Sequence, residues 1–233
     1  MQEIVIRQAA LADLDAVTEL ERQCFPAAEA ASRNAFAYRL HSFPECFWFA
    51  EASGQIVSMI NGMTTESRDL TDEIYEDTAL YSAGGAWLML FGVATNPVYQ
   101  KQGLSSQLMN HVIEEMKRKG KCGIVLTCKK DLLPFYQRFG FVSEGISNSL
   151  HGGAVWYQMR LDFEQELFRC ARTGDECSFY LSGRRYLLYG WRQCDGDYLN
   201  VSDETGQTVW QTAKSGQAAC DDFMVAYRSH TLY

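Results

Sequence analysis

The run Trp87–Thr95 (WLMLFGVAT) constrains the chain most: nine residues without a charge, closed by Asn96-Pro97. Strand alternation puts Trp87, Met89, Phe91, Val93 and Thr95 on one face, and Leu88, Leu90, Gly92 and Ala94 on the other. Both faces are apolar, so both need cover, as in the central strand of a layered α/β unit. Gly92 inside such a strand signals a bulge or a close backbone approach. Leu104, Leu108, Met109, Val112, Ile113 and Met116 follow at helical spacing. That helix ends in Lys117, Arg118 and Lys119 before Gly120, cations at the end that suits its dipole.

The flanks extend the alternation of strand and helix. Glu3–Arg7 reads as a strand. Asp13 opens a helix with Leu14, Val17, Leu20 and Cys24 on one face, ended by Pro26. Ala27–His41 reads as a second helix before Pro44, and Cys46–Ala52 and Gln55–Thr64 as strands joined by Ser53-Gly54. Gly123–Thr127 is a buried strand. Asp131–Phe139 is a short helix with Asp131 as N-cap, Pro134 in its first turn and Gly140 closing it. Trp156–Leu161 is the last strand of this unit. A boundary over residues 162–178 separates a domain of residues 1–162 from a small β-rich domain of residues 163–233. In the latter, Phe179–Leu181, Tyr186–Trp191, Tyr198–Val201, Thr208–Gln211 and Phe223–Arg228 read as strands, with turn signals at Asp195-Gly196 and Thr205-Gly206.

Charge narrows the partners. Twenty-nine acidic against 21 basic side chains leave −8, which repels phosphate backbones and argues against nucleic acid. Cationic amines are better tolerated. Glu66, Asp69, Asp72, Glu73, Glu76 and Asp77 crowd one window that reads as an exposed loop or short helix. None of the eight Cys forms a CxxC pair, so no metal site is expected, and most read as small buried hydrophobes. The sequence has no N-terminal signal-like run and no apolar stretch long enough to cross a bilayer, so the expectation is a cytoplasmic chain with reduced thiols and no membrane partner.

Two stretches carry chemistry. Asn96–Ser105 (NPVYQKQGLS) lies between the buried strand and the amphipathic helix. A polar turn with Gly103, feeding a helix N-terminus, points backbone N–H groups at one spot and suits a phosphate. By spacing alone an ordinary strand-to-helix turn fits equally well; the segment is neither a Walker loop nor a GxGxxG fingerprint. In Leu133–Phe141 (LPFYQRFGF), Phe135, Phe139 and Phe141 suit a core, whereas the Tyr136 phenol suits a proton donor.

Together these stretches resemble the GNAT acetyltransferase superfamily. Its motif Q/R-x-x-G-x-G/A reads Gln100-Lys-Gln-Gly103-Leu-Ser105 here, with Ser in the last place. The block Cys128–Phe141 (CKKDLLPFYQRFGF) is similar to the arylalkylamine N-acetyltransferase branch and its bacterial relatives, and Cys24–Ser32 and His41–Glu45 add weaker support. The resemblance covers residues 3–162. It implies an α/β (α+β) fold with a GNAT-type mixed, mostly antiparallel central sheet flanked by helices, here followed by the β-rich appendage. It implies acetyl-CoA as cosubstrate without a metal. The pantetheine would lie along Val93, Ala94 and Thr95, the pyrophosphate on Lys101, Gln102, Gly103, Leu104, Ser105 and Ser106, and Tyr136 would protonate the leaving thiolate.

The acceptor implied is a primary amine, a small amine or polyamine rather than a protein. The animal arylalkylamine enzymes keep two histidines where this chain has Met89 and Phe91, so their substrate does not carry over. Glu66 and the carboxylates after it, His111 and His151 are the candidates for receiving the amine proton. An acetyl-CoA-binding sensor or partner-binding module is the alternative. Homodimer formation and substrate gating are both open for residues 163–233.

Overall fold

A computed structural model describes residues 3–193, 196–212, 214 and 216–232. Cys194 and the Asp195 of the Asp195-Gly196 turn signal lie outside them. The chain divides into two compact units, Met1–Glu114 with Gly123–Leu161, and Glu115–Cys122 with Asp162–Tyr233.

The first unit is built on a seven-stranded sheet. Its strands are β1 (Ile4–Gln8), β2 (Phe47–Ala52), β3 (Gln55–Thr65), β4 (Trp87–Thr95), β5 (Gly123–Cys128), β6 (Val142–Ile146) and β7 (Tyr157–Asp162). They lie in the order β1-β2-β3-β4-β5-β7-β6, with β4 central as its two apolar faces require. The β1–β2, β2–β3, β3–β4 and β6–β7 pairs are antiparallel, and β4–β5 is parallel. The helices are α1 (Leu14–Cys24), α2 (Arg33–Ser42), α3 (Asp72–Glu76), α4 (Leu104–Arg118) and α5 (Leu133–Gln137).

Four local readings need correction. The helix expected over Ala27–His41 begins only at Arg33, because the Ser32 hydroxyl accepts from the Ala35 N–H at 3.1 Å and caps it there. Asp131 is not an N-cap: it sits inside a 3-10 turn, Lys130–Leu132, that leads directly into α5. The short edge strand β6 was not anticipated. The strict alternation expected along β4 also breaks. Leu90 pairs with Gly62 and Gly92 with Asn61, so Phe91 is an extra residue and puts Leu90 and Gly92 on opposite faces.

The second unit pairs β8 (Cys177–Leu181), β9 (Arg184–Gln193), β10 (Gly196–Asp203) and β11 (Thr208–Thr212) in one antiparallel sheet. It also holds two helices that the β-rich expectation lacked, α6 (Phe163–Thr173) and α7 (Gly216–Arg228). The Asp162 carboxylate caps α6 by accepting from the Gln165 N–H at 3.0 Å, and Gly174 closes it at φ +76°. Phe223–Arg228 is therefore helix, not strand; Ala219, Cys220, Phe223 and Met224 make one buried face at helical spacing. They pack with Leu167, Phe179, Leu188 and Val201 into this unit's core.

Among the described residues no helix is long and apolar enough to cross a membrane, and no cluster of three His, Cys, Asp or Glu side chains could hold a metal. The seven described cysteines are free thiols, and five of them are buried: Cys46, Cys128, Cys170, Cys177 and Cys220.

Candidate active site

The β4–β5 ladder runs from Trp87↔Gly123 to Leu90↔Leu126 and stops. β4 continues to Thr95, paired on its other side with β3 as far as Ser58. Along Gly92–Thr95 one backbone edge of a central strand is thus left without a neighbouring strand, and its polar groups need partners from elsewhere. Val93, Ala94 and Thr95 lie on this split.

The end of β4 is tied to the start of α4. The Thr95 hydroxyl lies 2.7 Å from that of Ser58 and 2.6 Å from that of Ser105, so three hydroxyls link β3, β4 and the helix. Ser105, where the motif has Gly or Ala, is engaged in this link. The Gln100 amide donates to the Thr95 carbonyl at 3.2 Å, and the Gln102 amide to the Val98 carbonyl at 3.3 Å. Lys101 and Gly103 adopt left-handed φ of +61° and +82°. The space where a Gly103 side chain would point is open, with no atom within 4 Å. Lys101, Gln102, Gly103, Leu104, Ser105 and Ser106 are thereby gathered at one junction. The first N–H groups of α4 have no intrahelical acceptor, and no acidic residue sits in its first turn to compete for them.

A cavity of about 830 Å³ reaches from the split to the loops above it. Tyr136 lines it from α5, 6% exposed, its ring held edge-on by Phe135 and Phe141 at 5.0 and 5.9 Å. Burial, helped by Cys128 and Tyr75, pushes the Tyr136 phenol well above its ordinary pKa. Such a phenol keeps its proton at any physiological pH and yields it only to a strong base formed beside it.

The candidate proton acceptors separate. Glu66, Asp69, Glu73 and His111 do not line the cavity. Asp69 is paired with Arg160 at 2.6 Å. Asp72, Glu76, Asp77 and His151 do line it. Asp72 is held below the usual carboxylate range by the Ser149 hydroxyl and the Leu150 N–H. The His151 ring stacks on Tyr75 at 5.9 Å, and its Nε2 lies 2.9 Å from the Glu29 carbonyl oxygen. Met89 is buried in the core outside the cavity, whereas Phe91 forms part of its wall under the Arg39 guanidinium, 4.5 Å from the ring centroid.

Sequence reasoning passed over Glu21. It lies on the same α1 stripe as Val17, Leu20 and Cys24, and α1 packs on β3 and β4. A carboxylate on an apolar stripe was the available signal. Glu21 is 5% exposed, and its Oε1 accepts from the Ala31 N–H at 3.0 Å. Burial pushes its pKa up to about 7, against the opposing pull of that N–H, Arg39 and His151.

Comparison with known proteins agrees with this architecture. The model of the Acetyltransferase (GNAT) family matches residues 14–141. Serotonin N-acetyltransferase of Mesocricetus auratus is 28% identical over 128 residues, 54% of this chain and 59% of that protein. The [Ribosomal protein bS18]-alanine N-acetyltransferase of Escherichia coli K12 is 26% identical over 133 residues, 55% of this chain and 81% of that protein. The chain spans less than two thirds of the first curated relatives it matches, down to 28% of one of them. Among solved structures, the GphF GNAT-like decarboxylase in complex with isobutyryl-CoA shares the fold at TM-score 0.60 and 21% identity, covering 68% of this chain and 98% of its own. The family match runs from the start of α1 through the β4 split and its turn to the end of the Tyr136 block, more than half of the sequence, and the chain belongs to the acetyltransferase (GNAT) family.

Proposed function

We propose that this chain transfers an acetyl group from acetyl-CoA to the primary amine of a small cationic acceptor. The observation that carries the reading is Tyr136: a buried phenol with a raised pKa, in the wall of the cavity that opens at the β4–β5 split. The acetyltransferase domain is residues 1–162; residues 163–233 are a second domain to which we assign no role.

The residues present fit the cosubstrate. The open side of Gly103, the left-handed Lys101 and the N-terminus of α4 form a cradle for a pyrophosphate, lined by Lys101, Gln102, Gly103, Leu104, Ser105 and Ser106. The edge at Val93, Ala94 and Thr95, which lacks a neighbouring strand, suits the amides of a pantetheine arm. The Val93 N–H is suited to stabilise the oxyanion of the attacked thioester. Tyr136 delivers a proton to the departing sulfur.

Charge and enclosure support a small cation as acceptor. Among the described residues the cavity is lined by five carboxylates, Glu21, Glu29, Asp72, Glu76 and Asp77, against one guanidinium, Arg39. Its aromatic walls, from Phe25 and Tyr75 to Trp156, suit the apolar body of an amine. Acetyl-CoA-dependent thiol release, measured across polyamines, arylalkylamines, aminoglycosides and peptides, is expected to be fastest with a small amine. Preference for peptides would overturn the acceptor class. Acetyl-CoA bound but never consumed would leave a sensor.

The turn has its own test. Gly103→Val places a β-branched side chain at a left-handed φ and into the open cradle. Acetyl-CoA affinity by calorimetry is expected to fall at least about tenfold, roughly 1.4 kcal/mol. An unchanged Kd would remove the pyrophosphate from this turn.

A further inference from the structure

Few buried side-chain oxygens lack a hydrogen-bond partner among the described residues, and two of them belong to side chains that meet at Gly92. They are Glu21 Oε2 and Asn61 Oδ1. Glu21 is 5% and Asn61 1% exposed, and both side chains line the cavity. They flank one point. Asn61 is the register partner of Gly92, and a side chain on Gly92 would begin 2.9 Å from Asn61 Nδ2 and 3.9 Å from Glu21 Oε2. Buried oxygens without partners are costly, and sites that keep them generally have a use for them. A carboxylate oxygen and a carboxamide whose own oxygen is unpartnered, beside a strand position with no side chain, suit a group with several N–H donors and a positive charge.

Resting on the acetyl-transfer reading, we propose that Glu21 and Asn61 form the receptor for the acceptor's ammonium group. Glu21 takes its first proton, which lets the enzyme use primary alkylamines that arrive protonated. Glu21 Oε2 and Asn61 Oδ1 each accept one N–H of the bound R–NH₃⁺. A proton passes from nitrogen to the Glu21 carboxylate, leaving R–NH₂, still held by Asn61. The nitrogen lone pair then forms the N–C bond to the acetyl carbon and the C–S bond breaks. The second proton lost by nitrogen restores Tyr136 after its phenol has protonated the sulfur. Glu21 returns the first proton to solvent, so the balance is R–NH₃⁺ and acetyl-CoA to amide, CoA–SH and H⁺.

The surroundings leave this titration to Glu21. Arg39 of α2 holds a fixed charge nearby: its Nη2 donates to the Tyr75 carbonyl and its guanidinium stacks on Phe91. Cys24 of α1 donates its thiol to the Thr95 carbonyl, and burial raises its pKa. Burial pushes the Tyr75 phenol up to about 12 and Tyr136 higher still. Glu29 is bridged to Lys129 at 2.7 Å. The His151 imidazole has its Nε2 on the Glu29 carbonyl oxygen.

The test compares the full-length wild type with Glu21→Gln, Glu21→Asp, Asn61→Leu and His151→Asn, using butylamine, 2-phenylethylamine and aniline. In the wild type, kcat/KM for the alkylamines should rise tenfold per pH unit below about 7 and level above it. E21Q should lose at least about 100-fold in kcat/KM for the alkylamines and lose that acid limb. Aniline arrives without the extra proton and should lose less than about fivefold. E21D should recover part of the rate, and N61L should raise KM about tenfold.

Butylamine binding by calorimetry at pH 8 should weaken about tenfold in E21Q whether or not transfer occurs. Wild-type binding of butylamine without thiol release would end the transfer reading and leave the receptor standing. The receptor itself is overturned if E21Q keeps alkylamine kcat/KM and binding within twofold, or if H151N rather than E21Q abolishes the acid limb.

Discussion

Tyr136→Phe is expected to lower kcat by about 10²–10³-fold while leaving the Kd for acetyl-CoA within twofold. The two parts of that result separate a proton donor from a binding residue. Phe keeps the ring, and with it the edge contacts to Phe135 and Phe141 that position α5. Only the hydroxyl is lost. A thiolate leaving without a proton must depart as a charged group into a buried wall, which raises the barrier of that step and not of binding. The raised phenol pKa fixes the pH dependence. A proton donor fails when it ionises, so a higher pKa moves the failure to higher pH. The wild type should show no loss from Tyr136 ionisation between pH 6 and 10. Stopped-flow thiol release over that range, with calorimetry of acetyl-CoA, measures both. Unchanged turnover in the variant would remove Tyr136 from the reaction.

How far the site could be read in advance depended on whether local sequence or tertiary approach made each part. The strand Trp87–Thr95 and the helix after it are local: an uncharged run ended by Asn-Pro, then a regular apolar stripe, and both stand where periodicity put them. The turn at Gly103 was legible as a phosphate-friendly shape, though only the adjoining Tyr136 block distinguished it from a common loop. The consequence of Gly92 was half legible. A glycine announces a bulge, but the register of β3 decides that Phe91 is the extra residue, and only then do Gly92 and Asn61 share a face.

Where tertiary approach decides, local reading failed in a consistent way. The carboxylates of residues 66–77 draw notice by density, yet Glu66, Asp69 and Glu73 do not line the cavity. Glu21 drew none, because one acid among Val17, Leu20 and Cys24 looks like an imperfection in a stripe. It is the one that lines the cavity with its second oxygen buried and without a partner. Phe223–Arg228 misled for a related reason: Phe, Val and Tyr alternate as in a strand, but Ala219, Cys220, Phe223 and Met224 bury at helical spacing.

Glu21→Gln is expected to make the protein more stable at pH 8 while making it a poorer enzyme. The sign follows from the pKa. An ordinary Glu ionises at 4.5; in the fold burial holds Glu21 to about 7. The folded state therefore keeps the proton after the unfolded chain has released it, and folding stability falls as pH rises from about 4.5 to about 7. Above that the penalty is constant, on the order of 3 kcal/mol for a shift of this size.

Glutamine has the same shape and no charge to desolvate. Urea unfolding should show E21Q more stable than wild type by about 1–3 kcal/mol at pH 8, with the gap closing toward pH 5. A structural ion pair predicts the reverse. If Glu21 existed to neutralise Arg39, its loss would strand a buried guanidinium and destabilise the fold by roughly 3 kcal/mol or more. Arg39 does not need it: its hydrogen bond to the Tyr75 carbonyl and its stacking on Phe91 survive the change. Gain of stability with loss of alkylamine turnover is the signature of a carboxylate held under strain for its chemistry. A destabilised E21Q at pH 8 would return Glu21 to the framework.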